Sequence, residues 1–155
     1  METRHEFLSF TLQDDEYGVP ILDVRELRGW SPVRKVPNSP DYFKGVWEIR
    51  GEYLPIIDLK MRLGLGKTEL TDVTVVVVLS DGQGNPFGIM VDAVSEVYPL
   101  SDEAIKAPPK VSMGVDQRFI RGLASVQAGH LILLNMEALL DVEKLSELTQ
   151  HESWV

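Results

Sequence analysis

Gly45 to Leu63 reads GVWEIRGEYLPIIDLKMRL, and further along the chain Gly122 to Leu140 runs in the same register as GLASVQAGHLILLNMEALL. Tyr17 to Leu27 (YGVPILDVREL) is matched in the same way by Phe87 to Val97 (FGIMVDAVSEV). A glycine, an alternation of apolar residues and a final polar residue, Asp58 or Asn135, coincide in the longer pair. Internal repetition implies one structural unit used twice. The two pairs are offset by different lengths of chain, so an insertion separates the matched segments in the second copy. Pro108 to Gln117 is its natural place. Each copy supplies roughly five short strands. A sheet of that size buries its apolar face by curling closed. An all-β chain of two small β-barrels sharing an interface is therefore expected.

The local signals agree with this. Glu6 to Leu12 and Tyr17 to Ile21 alternate as strands around the Asp14-Asp15 turn. Asp23 to Leu27 fits either a helical turn or a continuing strand. Gly45 to Arg50 and Tyr53 to Ile57 read as a hairpin about Gly51-Glu52, with Leu59 to Leu63 as a helical turn. Gly64 to Asp72 reads as a flexible linker. Val73 to Leu79 is the most apolar run and reads as a strand buried on both faces. Phe87 to Val97 reads as one long strand. Phe119 to Val126 and His130 to Leu134 pair about Ala128-Gly129, and Met136 to Leu140 is a second helical turn. Val142, Leu145 and Leu148 share a helical face, which predicts a short C-terminal helix.

Composition narrows the chemistry. The 155 residues contain no cysteine, which excludes disulfides, thiolate metal sites and cysteine nucleophiles. Net charge is −9, and no lysine-arginine cluster is strong enough to offset it toward nucleic acid. Arg25, Arg28, Arg34 and Lys35 form either one local basic patch or a set of solvated side chains. The first residues carry no signal-peptide pattern, and no apolar run approaches the ~20 residues that cross a bilayer. A soluble intracellular protein without membrane insertion is expected.

Catalytic patterns are missing where they would be looked for. Gly64 to Thr68 (GLGKT) ends like a phosphate-binding loop, but Met61 stands where that loop needs glycine. His5, His130 and His151 have no metal-ligand spacing. Ser112 and Ser125 lack a base partner in sequence. Asp23, Asp58 and Asp92 could assemble a paired acid-base site, but any acidic chain offers such a set. Neither a cofactor nor a metal is expected, and the function belongs to surfaces. Arg50, ending an apolar strand before a glycine, is the side chain best suited to grip a partner. Its competing partners within the chain are Glu48, Glu52 and Asp58. Trp30, Tyr42, Phe43, Trp47 and Tyr53 crowd the first copy, as core residues or as anchors.

Several segments together resemble the CheW-like family. They are Glu16 to Ile21, Val24 to Gly29, Val36 to Pro40, Lys44 to Val46, and Ile49 to Glu52 through Leu54 to Leu59. Val91 to Val97, Pro108-Pro109, Phe119 to Gly122 and Leu131 to Glu137 complete the likeness, which runs from about Glu6 to Leu145. The resemblance implies two five-stranded SH3-like β-barrels within one domain over residues 1–155. The subdomains would span about 14–66 and 72–140, with the N-terminal strand packing on the second. It implies a non-enzymatic adaptor coupling the cytoplasmic signalling tips of methyl-accepting chemoreceptors to the regulatory domain of a CheA-type histidine kinase. Carried over by position, Val24, Glu26 and Leu27 would face the kinase. Ile21, Gly45, Arg50, Val94 and Val97 would serve the receptor. Asp58 would organise the turn after its strand. Two residues depart from the family pattern: Glu48, where asparagine is usual, and Trp47, where a small or polar residue is common. A relative serving another signalling array, such as twitching motility, and a small enzyme built on the three aspartates are the competing readings.

Overall fold

A computed structural model describes residues 4–81, 83–108, 114–127 and 129–139. The helix expected over 142–149 and Trp154 lie outside these residues. Among the described residues, ten strands form two five-stranded mixed sheets. One sheet contains β1 (Arg4–Leu12), β2 (Asp15–Pro20), β8 (Ala93–Ser101), β9 (Ile120–Val126) and β10 (Gly129–Leu134), in the order β8-β1-β2-β10-β9. The other contains β3 (Val24–Gly29), β4 (Phe43–Ile49), β5 (Glu52–Asp58), β6 (Val75–Ser80) and β7 (Pro86–Val91), in the order β3-β6-β7-β5-β4. The two orders are identical once β1 to β5 are exchanged for β6 to β10. Each sheet even has its parallel pair in the same place, β2 with β10 and β7 with β5. The helical turns α1 (Leu59–Arg62) and α2 (Met136–Leu139) follow β5 and β10.

The sequence repeats are thus real, but they are not the barrels. Each barrel takes two leading strands from one repeat and three from the other. The division expected between residues 66 and 72 separates the repeats, whereas the sheets divide at the two crossings after β2 and β7. Phe87 to Val97 is accordingly not one strand. It breaks at Asp92, where β7 leaves one sheet and β8 enters the other. The equivalent crossing in the first repeat is the 3₁₀ turn Ile21–Asp23, which resolves the choice at Asp23 to Leu27 as a turn and then a strand. The N-terminal strand pairs with both β2 and β8, inside the sheet that holds most of the second repeat.

Among the described residues, three apolar cores hold this arrangement. The largest lies between the sheets and takes Phe10, Tyr17, Val19, Ile57, Val77 and Ile89 among others. Trp47, Leu54, Ile56, Val76, Val78 and Met90 fill one barrel. Phe7, Leu100, Ala124, Leu131 and Leu133 fill the other. Trp47 and Ala124 are repeat equivalents, and strand register makes Val76 and Phe7 equivalents too. The large residue has changed places between the barrels. The largest buried side chain of each interior thus comes from a different strand, β4 in one barrel and β1 in the other. Trp47 is therefore a core residue, with its indole N–H donating to the Ser31 carbonyl at 3.0 Å.

Gly45 and its repeat equivalent Gly122 share one cause. Each strand is crossed closely by an upstream segment, through the bridges Arg34 to Val46 and Lys106 to Leu123. A Cβ on Gly45 would lie 2.4 Å from the Arg34 carbonyl oxygen, and one on Gly122 would lie 2.8 Å from that of Lys106.

Candidate partner-binding surface

β3 is one edge of the second sheet; the other, β4, is bridged at Val46 by the Arg34 segment. The pairing of β3 with β6 shifts register between Val24 and Glu26. Leu27 then faces outward, 48% exposed. An unpaired strand edge carrying an apolar side chain is a ready template for another chain. Beside it stands the tip of the β4–β5 hairpin. Ile49 pairs with Glu52, so the turn residues are Arg50 and Gly51, one position earlier than the sequence suggests. Both have positive φ, 52° and 81°, as a type I′ turn requires. Arginine is an uncommon occupant of the first such position, where Asn, Asp and Gly predominate. Strain of this kind is concentrated at working sites.

The turn aims Arg50 back over β3. Its guanidinium lies 3.7 Å from a Glu26 carboxylate oxygen, and the other oxygen accepts from Arg28 at 3.0 Å. Glu26 is thus the internal partner of Arg50; Asp58 is at the other end of β5. The Arg50 side chain remains 79% exposed. Arg25 and Arg50 border a cavity of about 290 Å³. Arg28, Arg34 and Glu48 border a second of about 470 Å³, and Ile49 lines both. Four arginines and three glutamates, Glu26, Glu48 and Glu52, thus border the two cavities with nearly balanced charge, and Lys35 borders neither. Trp47 contributes to the wall of the larger cavity while its ring is buried, so that departure from the family pattern is absorbed by the core.

The other expected residues fall into three groups. Ile21, Val24 and Val94 are half-buried against the core between the sheets, along the seam of the two barrels. Val97 lies on β8, 42% exposed, at the repeat position of Leu27. Val24 and Val94 are repeat equivalents as well. Residues assigned to different partners thus occupy the same place in the two copies, and β8 is a terminal strand of its sheet as β3 is of the other. Gly45 is buried behind Arg34 and offers no surface. Leu22, which the sequence reading does not single out, is 93% exposed on the crossing turn. Its equivalent in the second copy is Asp92, and that polar counterpart is the available signal for a surface position.

Asp58 is fully buried and structural. It accepts from the Met61 amide at 3.4 Å, the Thr68 amide at 2.9 Å and the Thr68 hydroxyl at 2.6 Å. This caps α1 and pins the segment expected as a flexible linker, where Thr68 is itself buried. Asp23, Asp58 and Asp92 make no common site. Asp92 accepts from the Gln13 amide and pairs with Lys60 at 3.8 Å. Among the described residues no group of His, Cys, Asp and Glu is placed to hold a metal ion. No helix there is long and apolar enough to cross a membrane.

A family model described as CheW-like domain matches residues 6–144. The chain belongs to the CheW-like family. It is 40% identical over 141 residues to the chemotaxis protein CheW of Klebsiella aerogenes, covering 91% of this chain and 84% of that one. It is 29% identical to protein FrzA of Myxococcus xanthus, covering 90% and 87%. The crystal structure of the scaffolding protein TtCheW from Thermoanaerobacter tengcongensis superposes with a TM-score of 0.82 at 30% identity, over 93% of this chain and 92% of that one. Two mixed five-stranded sheets with short helical turns are the architecture expected of the family, and the role is that of a CheW-type, non-enzymatic adaptor in chemotaxis signalling.

Proposed function

We propose that this adaptor joins a CheA-type histidine kinase to the cytoplasmic tips of methyl-accepting chemoreceptors through two adjoining surfaces. The β3 edge, with Val24, Glu26 and Leu27, receives the regulatory domain of the kinase. The barrel seam and its rim, with Ile21, Arg50, Val94 and Val97, receive the helical receptor tip. Gly45 serves by letting the Arg34 segment lie flat behind this face. The protein works in the cytoplasm and reaches membrane-associated arrays through these contacts. The observation that carries the reading is the open β3 edge, where exposed Leu27 stands beside the Glu26–Arg50 pair. An apolar anchor flanked by a charge pair gives both adhesion and orientation.

Calorimetric titration against the kinase regulatory domain and, separately, against a receptor signalling tip tests this. Saturable binding to both is expected. Arg50→Ala should weaken ternary assembly about tenfold, or ~1.4 kcal/mol. The exposed ion pair it removes contributes at most about 1 kcal/mol to folding, so the melting temperature should hardly move. Unaltered assembly by this variant would remove Arg50 from the site. Binding of neither partner by folded protein would overturn the reading.

A further inference from the structure

Arg62, at the end of α1, reaches across to the other repeat. Its Nε donates to the Leu139 carbonyl at 2.9 Å and a terminal nitrogen donates to the Ala138 carbonyl at 3.1 Å. The guanidinium lies over the Tyr42 ring at 4.5 Å and the Phe119 ring at 5.0 Å. In the register that aligns Gly45 to Leu63 with Gly122 to Leu140, Leu139 is the equivalent of Arg62. The same register, extended upstream past the two glycines, makes Phe119 the equivalent of Tyr42. The backbone confirms this second correspondence. Asp58 donates its amide to the Tyr42 carbonyl, and its equivalent Asn135 donates to the carbonyl of Phe119. Arg62 therefore touches its own counterpart and stands between two aromatic counterparts. In a two-fold arrangement only residues at the axis meet their own equivalents.

The position is asymmetric for a physical reason. α1 closes its carbonyls with its own chain, through Leu63, Gly64 and Leu65 amides. The Ala138 and Leu139 carbonyls of α2 accept from Arg62. A second arginine at residue 139 would set two cations against each other on the axis, and a second leucine at residue 62 would remove both donors. The planar fork grips two consecutive carbonyls, which fixes direction as well as distance. The flanking rings hold the fork in place.

We infer that Arg62 is the positioning residue that sets the angle between the two barrels, and through it the coupling between the two partner surfaces. The second half of this statement rests on the adaptor reading above; the first does not. A coupling free energy needs an element whose arrangement both sites sense. The β3 edge belongs to one barrel and β8 to the other, so the angle between barrels is what a partner spanning the seam reads.

The absence of cysteine allows clean labelling. Spin labels at Gln83→Cys and Glu103→Cys, exposed positions on opposite barrels, report the inter-barrel distance distribution by pulsed electron resonance. With Arg62 the distribution should be single and narrow. Arg62→Met keeps a long side chain between the rings but removes the donors, and it should broaden or split the distribution while the protein stays folded. Arg62→Lys should restore it in part. In kinase assays, Arg62→Met should bind each partner alone within about threefold of the parent, yet lower receptor-dependent stimulation about tenfold, inside the ~5–150-fold span of ordinary coupling. An unchanged distance distribution in folded Arg62→Met would overturn the positioning role. A broadened distribution with full stimulation would overturn the link to coupling. A parent protein that binds neither partner fails the adaptor reading and leaves the distance test standing.

Discussion

Single side chains in this protein divide by whether their partners are near in sequence. Asp58 has its partners close by, in Met61 and Thr68, and its turn-organising role is readable from an aspartate following a strand and preceding a helical turn. Removing it leaves the Thr68 hydroxyl and two amides short of an acceptor in a buried setting. Asp58→Ala should cost about 2–4 kcal/mol. The check is the midpoint of urea unfolding with an unchanged slope. Arg50 is the opposite case. Residue type and position at the strand end mark it, but its carboxylate partner Glu26 lies well upstream on a different strand, beyond any local pattern. Glu48 and Glu52 are nearer in sequence, yet the positive-φ turn carries the guanidinium over β3 instead.

Most strand and turn bounds are legible to within a residue or two, because alternation and glycine positions are local, although β8 runs past Val97 to Ser101. The crossings are not. Nothing in FGIMVDAVSEV distinguishes one long strand from two strands in different sheets, since apolar residues pack equally well against either. The tie between Asp58 and Thr68 likewise turns a polar, glycine-bounded stretch from a free linker into a fixed part of the fold. Glycines carry their reasons at this scale. Gly45 has φ of 146° and the Arg34 carbonyl where a Cβ would go. Gly45→Ala should cost roughly 3 kcal/mol or more, and should disrupt the Arg34 segment with it. Gly51, at the hairpin tip, has open space around it. Gly51→Ala should cost only the left-handed backbone strain of about 1–2 kcal/mol. Thermal melts of both variants would show whether the steric term separates them.

In the whole molecule the largest core lies between the sheets, so the stability of the assembly depends on what is buried there. Tyr17 is one of its largest members, stacked against Phe10 with centroids 6.5 Å apart. Burial, with a smaller contribution from the Asp15 charge, pushes its hydroxyl up to about 12 from the usual value of 10. The folded state thus holds the Tyr17 proton more tightly than the unfolded chain does. Its stabilising effect is complete below pH 10 and is lost as the pH rises through about 12. Phe87 occupies the equivalent position in the other repeat, so Tyr17→Phe fits the same packing. This variant should unfold at higher pH than the parent in an alkaline titration followed by near-ultraviolet circular dichroism. Coincident alkaline midpoints for the two proteins would contradict the assignment.

Because each barrel borrows two strands from the neighbouring repeat, the connectivity is that of a domain-swapped dimer whose two chains have become one. A true dimer of identical chains must present the same face twice, and any substitution appears in both. Joined copies escape that constraint. Where the first copy carries Arg50, the second carries Gln127; where the first carries Arg25, the second carries Ser95. One edge can be shaped for one partner without altering the other. The covalent link thereby turns a symmetric homophilic clasp into an object with two distinguishable ends, which is what an intermediary between unlike proteins requires.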